Sequence, residues 1–176
     1  MYREFIFLIF DYFKTIKTNV FYYEWVMPFI AGVMCFVSLK FNWLKTDYSL
    51  FINSSVSLLG VLVGFSIMVI TILTTSNNVN IENIKRTLTD YIISNEKISL
   101  YRLLLVNYSY LIIIEALVLL AYFVSLLFFS NFCHTIKLLL FSLYVVSIIH
   151  ILLLTIRNIT DFYFIITKEK SDNTSN

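Results

Sequence analysis

Long apolar runs alternate along this chain with short polar breaks. Four of the runs approach the roughly 20 residues that a membrane-crossing helix requires: about 21–39, 50–74, 104–129 and 138–156. The first is the least uniform, with Glu24 and Pro28 in its opening turns. The second has no charge, the third is broken only by Glu115, and the fourth lies between Lys137 and Arg157 and holds His150. Trp25, Trp43, Tyr22, Tyr23 and Tyr48 gather at the ends of runs, where aromatic rings sit at the headgroup level. The pattern predicts an all-α polytopic membrane protein, a four-transmembrane-helix bundle forming a single membrane domain over residues 1–176.

Two further stretches have the spacing of amphipathic helices. Tyr2, Phe5, Ile6, Ile9, Phe10 and Phe13 recur at helical intervals, with Arg3, Asp11 and Lys14 elsewhere on the turn, as in a helix lying in the headgroup plane. After the break Thr75-Ser76-Asn77-Asn78, the apolar residues Ile81, Ile84, Leu88 and Ile92 fall at i, i+3, i+7 and i+11. Glu82, Lys85, Arg86 and Asp90 lie between them. This predicts an amphipathic connector helix over about 79–100, open to the membrane surface, a neighbouring subunit or a cytosolic partner. The tail 168–176 is polar and reads as disordered.

Composition narrows the class. The chain is 59% hydrophobic and 14% charged, with a mean hydropathy of +0.83, against roughly 45–50% apolar and about 25% charged in soluble domains. A net charge of +2 gives no reason to expect direct nucleic-acid binding. Only 3 Gly and 1 Pro leave little scope for long linkers. Cys35 and Cys133 have neither metal-ligand nor disulfide spacing and read as small packing residues. Residues 1–13 lack the long apolar core and small-residue cleavage site of a secretory signal, so the N-terminus is expected to be retained.

Basic residues set the expected orientation. Arg3, Lys14, Lys17, Lys85, Arg86, Lys97, Arg102, Arg157, Lys168 and Lys170 fall on one side, against Lys40, Lys45 and Lys137 on the other. Ten against three places both termini and the middle connector in the cytoplasm.

Candidate chemistry lies within the spans. Asn53, Ser57, Gly60, Gly64 and Thr71 keep to one face of span two, and Gly60 and Gly64 form a G-x-x-x-G. This seam suits packing on another span of the same chain; it equally suits self-association or the lining of a polar pathway. Glu115 and His150 each lie 17.5 residues from the centre of the turn at Ser130 to Thr135, so an antiparallel hairpin brings them to one depth. A carboxylate there costs on the order of 2.5–3.5 kcal/mol and is expected to find a partner. Direct Glu115–His150 interaction follows, either as a register-fixing hydrogen bond or as a protonation-sensitive gate or ion site. No phosphate loop, zincin motif or nucleophile with oxyanion donors is present, so no enzyme activity, cofactor or metal is expected.

Residues 58–119, about a third of the chain, resemble small multi-span proteins of bacterial antiphage systems. The resemblance rests on Leu58-Leu59-Gly60, the apolar run Phe65 to Leu73, the break Thr75-Ser76-Asn77-Asn78, Lys85-Arg86 on the connector, and the re-entry Leu100-Tyr101-Arg102-Leu103-Leu104. The four-span plan is also similar to the membrane component of the Kiwa defence system. The resemblance implies a membrane sensor or effector that responds to infection by perturbing the inner membrane or recruiting a cytosolic protein. The leading expectation is therefore an oligomeric pore-type effector or sensor whose copies meet through span two. A non-conducting scaffold or accessory subunit is the second. A small transporter is third, because only one acidic residue lies deep in a span and no internal repeat is evident.

Overall fold

The computed structural model describes residues 2–44, 48–76, 79–93, 95–128 and 132–172. Lys45, the Asn77-Asn78 break, residues 129–131 of the turn before span four and the tail 173–176 lie outside the described residues. In chain order the elements are α1 (Tyr2–Lys14), α2 (Thr18–Phe21), a π-helical turn (Tyr22–Val26), α3 (Met27–Lys40), α4 (Tyr48–Thr75) and α5 (Val79–Arg86). Strands β1 (Leu88–Ile93) and β2 (Glu96–Ser99) follow, then α6 (Leu100–Phe128) and α7 (His134–Asp172). Among the described residues four helical stretches are long and apolar enough to cross a membrane: Thr18–Lys40, Leu50–Thr75, Leu100–Phe128 and His134–Phe164. The expected four-helix membrane architecture is therefore present.

The boundaries differ in an informative way. α7 has 39 residues, about 58 Å at helical rise, roughly twice the hydrocarbon thickness. It runs past Arg157 because Asn158 to Asp172 contains neither Gly nor Pro to stop it. Residues 168–172, expected to be disordered, are helical.

The chain falls into two compact units, one of Met1–Lys17, Phe65–Ile112 and Thr155–Asn176, the other of Thr18–Gly64 and Ile113–Leu154. In the first, a buried ring seats α1. Tyr12 is fully buried and stacks on Tyr110 with centroids 3.5 Å apart and planes 7° from parallel. The Arg157 guanidinium lies 5.6 Å over the Tyr12 ring, a cation–π contact. Ile6, Phe7, Phe10 and Phe13 stay exposed, as a headgroup-plane helix requires.

The connector corrects the sequence reading. Its helix ends at Arg86, and Leu88–Ile93 pairs with Glu96–Ser99 as an antiparallel hairpin instead of continuing the helix to 100. Ile81 and Ile84 are buried as the helical spacing predicts, but Leu88 and Ile92 are exposed and Ile93 and Ile98 turn inward. Thr89, Tyr91, Ile92 and Ile93 favour extended backbone. Asn95 then supplies the left-handed residue (φ 67°) that the turn demands.

In the second unit Leu39, Leu138 and Phe141 form a buried cluster, flanked by Cys35, Phe36, Tyr48, Phe51 and Val145. α3 ends in a Schellman motif: the Asn42 N–H bonds the Leu39 carbonyl and the Trp43 N–H bonds the Ser38 carbonyl. Asn42 holds the left-handed position, at φ 56°. Lys85 and Arg86 on α5 are exposed. Lys85 sits 5.3 Å over the Tyr101 ring, and Arg86 pairs with Glu82 at 4.0 Å in a solvent-exposed geometry that contributes little.

Asn42 tests the α3 cap. Asn42→Val should lower stability by about 1–2 kcal/mol through the left-handed backbone, whereas Asn42→Gly should keep it. Thermal unfolding in detergent, followed by circular dichroism, compares the two. Equal melting temperatures would show that the cap does not constrain α3.

Candidate functional site

Span one is built around its proline. Pro28 has no N–H, and its ring collides with the carbonyl four residues earlier, which is that of Glu24. An α-helix would direct the N–H of residue 28 at that carbonyl. Here the backbone widens instead into the π turn Tyr22–Val26, with the Met27 N–H reaching the Tyr22 carbonyl. The Glu24 carbonyl meets the imidazole of His150 on α7, at 2.5 Å from Nδ1. A carbonyl only accepts, so Nδ1 carries the hydrogen and donates. His150 thereby provides the hydrogen bond that the chain denies Glu24 by placing Pro28 there.

The surroundings are closed. Glu24 is 2% exposed, His150 6% and Glu115 0%. The Trp25 indole packs on the imidazole with centroids 4.5 Å apart at 49°. All four residues belong to the second compact unit. Glu24 lies seven residues after Lys17 in the sequence and His150 seven before Arg157.

Two hydrogen bonds define the register of α6 against α7. In the second unit the Tyr144 hydroxyl donates to the Ala121 carbonyl at 3.1 Å, beside the stacked rings of Tyr122 and Tyr144. Ala121 is six residues after Glu115 and Tyr144 six before His150. In the first unit the Asn158 side-chain amide donates to the Asn107 carbonyl at 3.5 Å. Asn107 is eight residues before Glu115 and Asn158 eight after His150. The Tyr144–Ala121 bond puts Glu115 and His150 at the same level of the two helices. Sequence reasoning missed Glu24, which it left in an opening turn; the signal was its position four residues before the only proline. A second buried acid also removes one of the two grounds on which the transporter reading was set lowest, the absence of an internal repeat being the other.

The span-two seam lies elsewhere. Asn53, Ser57, Gly60, Gly64 and Thr71 are all exposed, while α4 buries Ile52, Ser55, Leu59, Ser66, Val69 and Leu73. A Cβ added at Gly60 or Gly64 would meet nothing within 4 Å. The seam is therefore not a packing surface for another span of this chain. Its hydroxyls turn back on their own helix, Ser57 to the Asn53 carbonyl and Thr71 to that of Ile67. Close helix packing falls to Gly32 instead, where a Cβ would strike Val146 Cγ2 and lie 3.3 Å from the Ser142 carbonyl oxygen. Cys35 is half-buried near that contact, and Cys133 is exposed.

The Pro28–Glu24–His150 relation predicts an unusual coupling. His150→Phe leaves the Glu24 carbonyl without its donor and should cost about 1–3 kcal/mol. Pro28→Ala restores a backbone N–H aimed at the same carbonyl, so the histidine change should cost at least about 1 kcal/mol less in that background. A double-mutant cycle of unfolding free energies in detergent measures the difference, and strict additivity would refute the relation.

Comparison with protein-family models, with curated proteins and with solved structures finds no match to this chain, so the site is read from its own geometry.

Proposed function

We propose that this chain is a self-associating membrane protein, a pore-type effector or membrane sensor whose copies meet along the span-two seam. The observation that carries the reading is the openness of Gly60 and Gly64, which bracket the middle of the Leu50–Thr75 span. Within lipid no hydrophobic force draws helices together, and association depends on close backbone approach at small residues and on polar contacts. A G-x-x-x-G at mid-span, aligned with Asn53, Ser57 and Thr71 and unused by the chain itself, supplies both. The basic-residue asymmetry favours cytoplasmic termini, and the inner (plasma) membrane as the location rests on the resemblance of residues 58–119. Antiviral defence as the setting rests on the resemblance of residues 58–119, and the exposed faces of α1 and α5 are the surfaces that would receive a signal from a cytosolic protein.

Glycine substitutions separate assembly from folding. Gly60→Leu with Gly64→Leu has open space for the new side chains and, since leucine is the better helix former, should leave monomer stability unchanged or raised by up to about 1 kcal/mol per site. The double variant should abolish cross-linked oligomers in membranes, together with any depolarisation that expression of the parent causes in cells carrying a membrane-potential dye. Gly32→Leu should instead destabilise the fold by about 1–3 kcal/mol through overpacking against Val146. Oligomers that survive both span-two changes would overturn the seam, and a parent that assembles without depolarising cells would favour a scaffold.

A further inference from the structure

We propose that the cavity between the opening turns of α6 and the far part of α7 binds a primary ammonium group, held by Asp161 and Asn158 at the level of the lipid headgroups. The inference does not depend on whether copies associate.

The cavity has a volume of about 230 Å³ and lies wholly within the first unit. α6 contributes Leu103, Leu104 and Asn107, α7 contributes Asp161 and Phe164, and Tyr91 of β1 completes the wall. Pockets for drug-sized ligands run from roughly 300 to 1,000 Å³, so this one suits a small group. Its depth follows from the chain. Asp161 and Phe164 lie four and seven residues beyond Arg157, where the apolar run of span four ends, and Leu103 lies in the first turn of α6. α1 belongs to the same unit and keeps Ile6, Phe7 and Phe10 exposed, in the manner of a headgroup-plane helix. The Arg157 guanidinium, one turn before Asp161, lies over its Tyr12 ring.

The polar groups here lack donors. Asn158 is 1% exposed, and its side-chain nitrogen donates to the carbonyl of Asn107. A carbonyl only accepts, so this bond fixes which way round the amide sits and leaves Oδ1 on its far side. Among the described residues nothing bonds that oxygen, and a buried acceptor left unmet is costly. Asp161 is three residues further on, hence on the same face of α7. It lines the cavity half-buried, and none of the ion pairs among the described residues includes it.

Two acceptors three residues apart are separated by about 4.5 Å along the helix axis. One tetrahedral nitrogen with two N–H bonds of about 2.8 Å spans that distance. Tyr91 and Phe164 add aromatic walls, a surface that attracts cations, and Leu103 and Leu104 suit the methylenes that carry an amine. Water would satisfy the amide oxygen and leave the carboxyl without a counter-charge. A quaternary ammonium would supply the charge and no N–H. A primary ammonium answers both, and it is carried by aminophospholipid headgroups and by soluble amines.

Native mass spectrometry of the full chain tests the assignment, with release from micelles holding equal amounts of phosphatidylethanolamine and phosphatidylcholine of matched acyl chains. The two headgroups carry the same charge and differ in N–H donors. Phosphatidylethanolamine adducts should exceed phosphatidylcholine adducts by at least about tenfold, the worth of a hydrogen bond to a charged group. Asp161→Asn should cut the phosphatidylethanolamine adducts by at least about tenfold. Ethanolamine and choline, added without lipid, form a second arm. Protection against thermal unfolding by ethanolamine and not by choline marks a soluble amine as the ligand; a lipid preference without such protection marks the headgroup. Should Asp161→Asn fail to fold, the discrimination shown by the parent in the two arms decides. Absence of any preference for the primary ammonium in both arms, as a cavity holding water alone would give, or a preference untouched by Asp161→Asn, would overturn the proposal.

Discussion

A bilayer offers no water to a backbone carbonyl, so every polar group in a spanning helix must be satisfied from within the protein. Most of this chain obeys by being helical. Span one cannot, because Pro28 withholds the donor that Glu24 needs. The remedy is lateral: the backbone opens into a π turn and an imidazole from α7 donates in place of the missing amide. Much of the second unit can be understood from that substitution. It requires His150 inside the bundle, hence an ionisable ring among apolar residues, hence the company of Glu115 at its own level and the stacking of Trp25 on its face. Removing Pro28 would relieve the cause; removing His150 alone would leave the consequence exposed.

The three glycines show how one residue type serves two ends. Gly32 exists for contact, since any side chain there would collide with the stiff, β-branched Val146 one helix away. A Cβ added at Gly60 or Gly64 would meet nothing within 4 Å. Glycine costs about 1 kcal/mol relative to alanine in a helix interior, and where no neighbour needs the space that cost has no return within the monomer. Self-association would supply the return. Glycines four residues apart, with polar side chains on the same stripe, suit an approaching helix better than a lipid tail.

The sequence revealed what the solvent imposes and concealed what single residues decide. Apolar runs of twenty or more residues admit few structures, so the four spans were legible, and the depth of Glu115 relative to His150 followed from counting outward from the turn. The connector was ambiguous because Leu88 and Ile92 fit a helical period over Ile81 and Ile84 as well as they fit a strand. The tie is broken locally by the β-branched cluster around Ile92 and by Asn95 at positive φ, cues that a four-residue periodicity overrides when read alone. Tyr12 was invisible for a related reason. The amphipathic pattern of α1 marks Phe10 and Phe13 as the face that matters, yet those rings stay outside and the stacked tyrosine holds the helix.

Glu24 is the most instructive miss, because its meaning is distributed over two positions. A glutamate near the start of a span reads as interfacial, and a proline one turn later reads as a helix start. Together they specify a displaced carbonyl beside a buried carboxyl. The partner that completes the arrangement lies 126 residues away, beyond the reach of any local pattern. The constraint can nevertheless be stated without coordinates: inside a membrane, residue i−4 of every proline owes its carbonyl a donor. The polar side chains of the other spans are the short list from which that donor comes. Ring nitrogens, hydroxyls and amides qualify, whereas carboxylates do not unless protonated. In this chain the rule selects His150 over Glu115 as the group that must touch span one.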